Sequence, residues 1–542
     1  MADLTEPSGR PRRRLPATSD LPLARAAIAA ALALIVTVVA WRTGGFFTAD
    51  SDERNLTVVR LMLFAALALF FFSLPTIVRR AGRAARIAFL AWAAYLGVWL
   101  FALWPGIVMS DSIAAVDESR RANVFEWFSW IHSALNIAVL DLVPHIGALA
   151  VLQIVLVAGT MAFATQALLS WRASVPAAVA MNVVAALSAP IVVNALLLSR
   201  DTPFALGHVL LSLLVAQLAT RQREATAPRI AVVVLLTGWL SVYRGDGIVL
   251  LVVVPLLLLF ALRPARAAVL RGAAAFAGVW ILFAFLLPAT LDVQDQSRAY
   301  AVSLRVNPLG AVLQSDFYSA DREHDLRELG RVINVAEVRD TYTPAEIPAY
   351  WSPTGWNRNA SDADFAAFKK TADRLMLENV SAVLGGRVRT FGAATGLGPG
   401  QFIQGSFDAT GPGSGDAIAA RPPSHALHTA AEDAIERTEG WSGAISTRGS
   451  LFWNFLPWLA LLLCVLPFWK RAPFPAAFAL IVLCRVPVVF LVSPAAQFKY
   501  YLSVELGGIV LLGMLLALVR REALRSSLAR LRQPRATEPA PS

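Results

Sequence analysis

Apolar runs of about twenty residues, parted by short polar breaks, fill most of this chain. An α-helix rises about 1.5 Å per residue, so a run of roughly twenty crosses the ~30 Å hydrocarbon core of a bilayer. Such runs fall at 23–41, 56–78, 87–104, 147–170, 176–194 and 202–219. Residues 230–262 form one longer run, split by Tyr243-Arg244-Gly245-Asp246-Gly247, and read as a hairpin of two crossings. Further runs follow at 272–290, 450–468, 474–493 and 502–519. Residues 133–146 are apolar but interrupted by Asp141, Pro144 and His145. They predict a re-entrant or interfacial helix rather than a crossing. The pattern predicts an all-α polytopic membrane protein with about twelve transmembrane helices.

Arginine placement orients these runs. Arg79, Arg80, Arg83 and Arg86 sit in one short break, Arg172 in another. Arg221, Arg223 and Arg229 flank the 230–262 run on one side, and Arg263, Arg266 and Arg271 on the other. Lys470 and Arg471 occupy a later break. Basic short loops stay cytoplasmic. Twelve crossings of a cell membrane then place both termini on its cytoplasmic side, with every arginine-dense loop. The tails are residues 1–22, polar and expected to be disordered, and the basic segment 520–542. The first run lacks a small-residue cleavage site and is expected to remain as the first helix.

Between the 23–290 module, with its first large outer loop at 105–146, and the C-terminal helices of 450–519 lies one long polar region, 291–449. A loop of that length without structure of its own is uncommon. It predicts an extracytoplasmic domain, mainly helical and irregular. Helical character is strongest over 321–339 and 361–384, the latter with Ser361 as its N-cap. Residues 396–424 are rich in Gly, Pro and Ser. No internal repeat is evident, which weighs against inverted-repeat transporters.

Composition agrees with this picture and narrows function. Hydrophobic residues make up 57% of the 542 and charged residues 16%. The net charge of +11 invites a nucleic-acid partner. Its confinement to short loops between apolar runs excludes that reading. Cys464 and Cys484 both lie in apolar segments, so neither a disulfide framework nor a zinc cluster can be built from them. His425 and His428 form an H-x-x-H, but a zinc site needs three or four ligands.

With this topology, polar residues from distant segments gather on the outer face. They are Asp111, Asp117, Glu118, Glu126 and His132 in the stretch from Trp104 to Asn136, then Arg200 and Asp201, Arg244 and Asp246, and Lys499. The bland reading makes each a solvated loop charge, a local pair or a snorkelling anchor. The functional reading rests on the cost of ionisable groups at membrane depth, which are paired or used. A carboxylate can act as general base to a hydroxyl. Arginine and lysine can hold a phosphate as it leaves. Trp351 and Trp356 are either sugar-stacking faces or apolar anchors. Asn359-Ala360-Ser361 and Asn379-Val380-Ser381 match the glycosylation sequon, a pattern short enough to arise by chance.

PGIVMSDS (105–112), His132 downstream of it, SRDTPF (199–204), YRGDG (243–247) and FKYY (498–501) occur in this order. The layout resembles the GT-C superfamily of integral-membrane glycosyltransferases, which use polyprenyl-phosphate-linked sugars, and within it an uncharacterised bacterial branch. The resemblance spans most of residues 87–505. It implies catalytic roles for Asp111, as base, and Asp201. Arg244, Arg200 and Lys499 would bind the donor phosphate, and His132, Glu126 and Asp246 the acceptor or sugar. It also implies inversion. Asp111 and Asp201 are a candidate pair for a divalent cation such as Mg or Mn, although some superfamily members need none. Two departures stand out: Asp111 is followed by Ser112 rather than the Glu of the mannosyltransferases, and the Trp-Trp-Asp signature of oligosaccharyltransferases is missing.

The expected function is therefore transfer of a sugar from a polyprenyl-phosphate donor to an extracytoplasmic acceptor, whether envelope glycan, lipid or protein. The alternative is a transporter or lipid flippase using the same charges as a binding relay. A third reading is a non-catalytic membrane scaffold.

Overall fold

The computed structural model describes residues 20–42, 47–127, 129–171, 174–220, 224–262, 266–397, 422–439 and 452–532. The expectations for the N-terminal tail before residue 20, Arg172, Arg221, Arg223, Arg263, the Gly-rich residues 398–421, residues 440–451 and the tail beyond 532 lie outside them.

The described residues are largely helical, with almost no strand among them. Its helices are α1 Asp20–Arg42, α2 Glu53–Arg80, α3 Arg83–Ala102, α4 Ser110–Arg120, α5 Trp130–Leu142, α6 Gly147–Ser170, α7 Val175–Leu187, α8 Ala189–Leu196, α9 Asp201–Ala219, α10 Ala227–Tyr243, α11 Leu250–Ala261 and α12 Arg266–Ile281. Then come α13 Ser297–Leu313, α14 Arg322–Gly330, α15 Val335–Thr341, α16 Pro348–Trp351, α17 Asp362–Glu378, α18 Val380–Ala394 and α19 His425–Glu439. The last are α20 Leu456–Val465, α21 Pro473–Leu483, α22 Val486–Val492 and α23 Leu502–Arg532.

Seven helical stretches among the described residues are long and apolar enough to cross a membrane, and eight if the bent pair α7–α8 is one span. Length and composition thus carry seven or eight of the twelve expected crossings. The other four expected positions hold apolar helices of only 10–17 residues: Ala227–Tyr243, Gly245–Ala261, Ala274–Thr290 and Leu456–Phe468. The break in α7–α8 has a local cause. Ser188 accepts from the Ile191 amide (3.3 Å) and so starts a new helix, and Pro190 has no amide to continue the old one. The two halves meet at 67°. Helix α23 runs on past the expected span 502–519 to Arg532.

Helix α9 is central, with 83% of its apolar window buried, whereas α2 is peripheral at 6%. Leu61, Leu69, Phe70 and Ile77 of α2 point outward. An apolar face of that extent suits lipid rather than water. Asp141 of α5 is buried and paired with Arg60 of α2 (2.8 Å), so the charge that interrupts the 133–146 run holds two helices together.

Residues 297–394 form a helical module around Val302, Leu309, Leu329, Val338, Phe368 and Leu375. Ser361 caps α17 as predicted, accepting from the Asp364 amide (3.1 Å). The helical stretch expected over 321–339 is two helices, capped separately by Asp321 and Asn334. A two-residue parallel pairing of Val124–Phe125 (β1) with Val293–Gln294 (β2) ties the start of the module to the first large loop. At its other side Asn307 donates to the Pro494 carbonyl (2.8 Å) and the Ala496 amide to the Ala345 carbonyl (2.9 Å). Helix α19 belongs elsewhere: Ala431 and Ile435 bury into the main helix bundle, and His428 contacts the Ala102 carbonyl (3.1 Å). His428 therefore serves helix docking.

Candidate functional site

Two loops from distant parts of the chain are stitched side by side. The Ile107 amide donates to the Leu196 carbonyl (2.9 Å), and the Leu198 amide donates back to the Ile107 carbonyl (3.0 Å). Gly106 permits this approach: its φ is +121°, and a Cβ there would stand 2.9 Å from the Leu196 carbonyl oxygen. Ser112 completes the stitch by donating to the Leu198 carbonyl while accepting from the Met109 amide (3.2 Å). The serine that departs from the mannosyltransferase pattern thus acts as a latch. Asp111, in the first turn of α4, and Asp201, in the first turn of α9, are thereby brought to one place. The positive end of each helix dipole favours a carboxylate there.

The YRGDG turn approaches from a third direction. A Cβ on Gly247 would fall 2.3 Å from the Leu240 carbonyl oxygen, so only glycine fits. The turn aims Arg244 and Asp246 inward. Arg244 ion-pairs with Asp201, and its Nε donates to Asp246 (3.1 Å). Arg485 closes the network from between α21 and α22, with two nitrogens on Asp246 Oδ2 (2.8 and 2.6 Å) and a third on the Tyr500 carbonyl (2.7 Å). Its guanidinium lies 4.6 Å from the Phe204 ring centre. Sequence reasoning missed Arg485. Its signal was a lone arginine inside an apolar run.

Lys499 stands between the two catalytic candidates. Its ammonium is buried, 3.8 Å from Asp111 and 3.7 Å from Asp201, with the Met109 sulfur at 3.5 Å. The Asp111 side chain stays 40% exposed. Arg200 donates to the Trp127 carbonyl and to the Tyr300 hydroxyl (3.0 Å), which itself donates to the Trp127 carbonyl (2.6 Å).

These groups share one cavity of about 770 Å³. Asp111, Asp201, Arg200, Arg244, Asp246, His132 and Lys499 all line it. The helical module supplies the facing wall, with Tyr300, Glu346, Tyr350 and Trp351. His132 is held at the base, Nδ1 to the Tyr243 hydroxyl (2.9 Å) and Nε2 to Asn136 (3.3 Å). Two expectations need adjustment. Glu126 does not line the cavity; its carboxylate accepts from the Gln296 amide (3.1 Å) and caps the entry to α13. Asp246 lines it, but both its oxygens are held by arginines, which suits a clamp rather than a sugar contact.

A divalent cation shared by Asp111 and Asp201, left open by the sequence, does not fit the donor set. Asp201 already answers to the Arg244 guanidinium and the Lys499 ammonium, so a cation shared with Asp111 would have to displace Lys499. Among the described residues no three His, Cys, Asp or Glu side chains gather as a metal site. Burial pushes the Tyr350 phenol well above its usual range, with the charges of Tyr300 and Asp111 adding to the rise against that of Arg358. Tyr350 is thus a neutral hydroxyl at physiological pH, near enough to Asp111 to feel its charge.

No protein-family model matches the chain, and neither a curated protein nor a solved structure matches it.

Proposed function

We propose that the protein is a membrane glycosyltransferase that moves a sugar from a polyprenyl-phosphate donor to an acceptor hydroxyl on the extracytoplasmic face. The observation that carries this is the single cavity in which a half-exposed carboxylate faces buried cations. Asp111 takes the proton of the acceptor hydroxyl. The acceptor oxygen forms its bond to the anomeric carbon as the carbon–oxygen bond to the phosphate breaks, and that electron pair leaves with the polyprenyl phosphate. The displacement is single and inverting.

Lys499 is the first partner for the leaving phosphate. Its contacts to carboxylates are long, so its N–H groups can turn to a new oxygen. Arg244 adds charge from a position fixed by Asp201 and Asp246, and Arg200 borders the same space. Asp201 holds Arg244 and Lys499 in place, a positioning role. The seven or eight apolar spans support placement in a membrane. Twelve crossings, cytoplasmic termini and an extracytoplasmic 297–394 module complete the reading.

The test is turnover. Wild type and Asp111→Asn are placed in liposomes with a panel of polyprenyl-phosphate sugars, and release of polyprenyl phosphate is followed. The expected result is release by the wild type and a loss of about 10²-fold or more in the variant, the size of a removed general base. Equal release by both proteins would remove Asp111 from the mechanism. No release by folded wild type, with any donor and mixed envelope acceptors, would favour a transport role.

A further inference from the structure

Trp351 and Trp356 do different things. Trp127, Tyr350 and Trp356 form a stacked column: Trp127 and Tyr350 lie 5.8 Å apart at 16°, and Tyr350 and Trp356 6.2 Å apart at 9°. The Arg358 guanidinium lies 5.6 Å from the Trp356 ring centre, and that ring packs on the module core. Trp356 is a structural residue. Trp351 stands nearly perpendicular to its neighbours, 6.0 Å and 86° from Trp127 and 4.8 Å and 86° from Tyr350. It is 58% exposed, yet it lines the cavity that holds Asp111.

The turn that presents Trp351 is built. The Thr343 amide and hydroxyl both donate to the Glu346 carbonyl (3.1 and 3.2 Å), and the Glu346 amide donates to the Thr343 hydroxyl (3.1 Å). Pro348 opens α16 at a position that needs no amide donor. The Tyr350 hydroxyl is spent on the Ala299 carbonyl (3.1 Å), which fixes the column behind Trp351. An indole set edge-on to its neighbours offers a flat apolar surface, and Glu346, five residues back, lines the same cavity with it. A pyranose or furanose ring presents the complement, axial C–H groups on one face and hydroxyls at its rim.

We infer that Trp351 and Glu346 form a saccharide-binding subsite, so that the acceptor is a glycan rather than a protein or a lipid headgroup. This rests on the glycosyltransferase reading for its place in a reaction, though not for the binding itself. Trp351 takes a ring face and Glu346 accepts from ring hydroxyls. The sugar is thereby held on the module side of the cavity, with a free hydroxyl directed to Asp111.

The test measures binding with no donor present. Full-length protein in nanodiscs is titrated with fluorescently labelled mannotetraose, arabinotetraose and cellotetraose, and anisotropy is read. At least one should bind the wild type. Trp351→Ala should weaken that binding about tenfold or more, Trp351→Phe should keep most of it, and Glu346→Gln should weaken it less than Trp351→Ala. Because Trp351 is largely exposed, its loss leaves the stacked column standing, and the thermal transition checks that the variant is folded. Failure of all three probes to bind wild type overturns the inference. So does unchanged binding by Trp351→Ala together with shallower membrane contact by brominated-lipid quenching, which would make Trp351 an interfacial anchor. If a tetrasaccharide binds through Trp351 but no donor is ever turned over, the subsite stands and the transferase reading falls. If donor is turned over but binding ignores Trp351, the reverse holds.

Discussion

Asp246 and Asp111 line the same cavity and live in opposite surroundings. Asp246 is buried and held by two arginines, one of which reaches it from between α21 and α22, far along the chain. Asp111 is half-exposed, and its nearest cation among the described residues is 3.8 Å away. A carboxylate whose lone pairs are already filled cannot take a proton from a substrate without dismantling its surroundings. A carboxylate with open lone pairs can. Under the proposed function, Asp246 and Arg485 belong to the frame and Asp111 to the chemistry, although both aspartates stand in the first turn of a short helix.

The hardest test of that division is Arg485→Met. Removing one partner of a buried, hydrogen-bonded ion pair costs about 3–5 kcal/mol, because the remaining charge is left without full compensation. Arg485 also holds the Tyr500 carbonyl beside Lys499, so the loss should spread to the cavity floor. The expected outcome is a large drop in thermal stability in detergent, against essentially no change for Asp111→Asn. Were Arg485→Met to melt like wild type while donor release alone declined, Arg485 would belong to the chemistry and the comparison would break.

A smaller effect is expected from Gly106→Ala. Its positive φ and the 2.9 Å approach to the Leu196 carbonyl should make any side chain cost about 1–3 kcal/mol. The functional cost should exceed the structural one. The strained loop leads directly to Asp111, and small misplacements of a reacting group can lower turnover tenfold or more. Folded protein with reduced donor release is the expected result. Unchanged release would mean that the stitch of Ile107 to Leu196 and Leu198 does not set the position of Asp111.

Much of this frame is legible in the sequence. Asp111, Asp201, Arg244 and Lys499 sit at the ends of apolar runs, and a charge at such an end must face the surface or a cavity. Helix ends on one face can then meet, as they do here. Arg485 was hidden by the opposite circumstance. It interrupts an apolar run near its middle, where the run's overall hydropathy masked it, and its partner lies 239 residues away. Trp127, Tyr300 and Tyr350 were illegible for another reason. They come from a loop and from two separate helices, and only tertiary packing brings their rings together. Glu126 shows the limit of reading loop charge as chemistry: it caps the amide of Gln296 across the β1–β2 pairing. Of the twelve expected crossings, seven or eight have the length and apolarity of a full span on their own, and the other four positions hold apolar helices of 10–17 residues.

The smallest effect sharpens the other half of the comparison, between a module that carries a binding surface and one that merely folds. Ser361 caps α17 on the same module as Trp351, is exposed, and is not among the residues that line the cavity. Ser361→Ala should cost about 1 kcal/mol by leaving the Asp364 amide without its side-chain acceptor. Hydrogen exchange should read this as faster exchange in the first turn of α17. Tetrasaccharide binding should not move. If it weakened as much as in Trp351→Ala, the sensitivity of binding to Trp351 would reflect the stability of the module as a whole, and the indole face would lose its separate role. If exchange quickened while binding held, the module would fold through one set of residues and bind through another, as Asp246 and Asp111 divide frame from chemistry on the opposite wall.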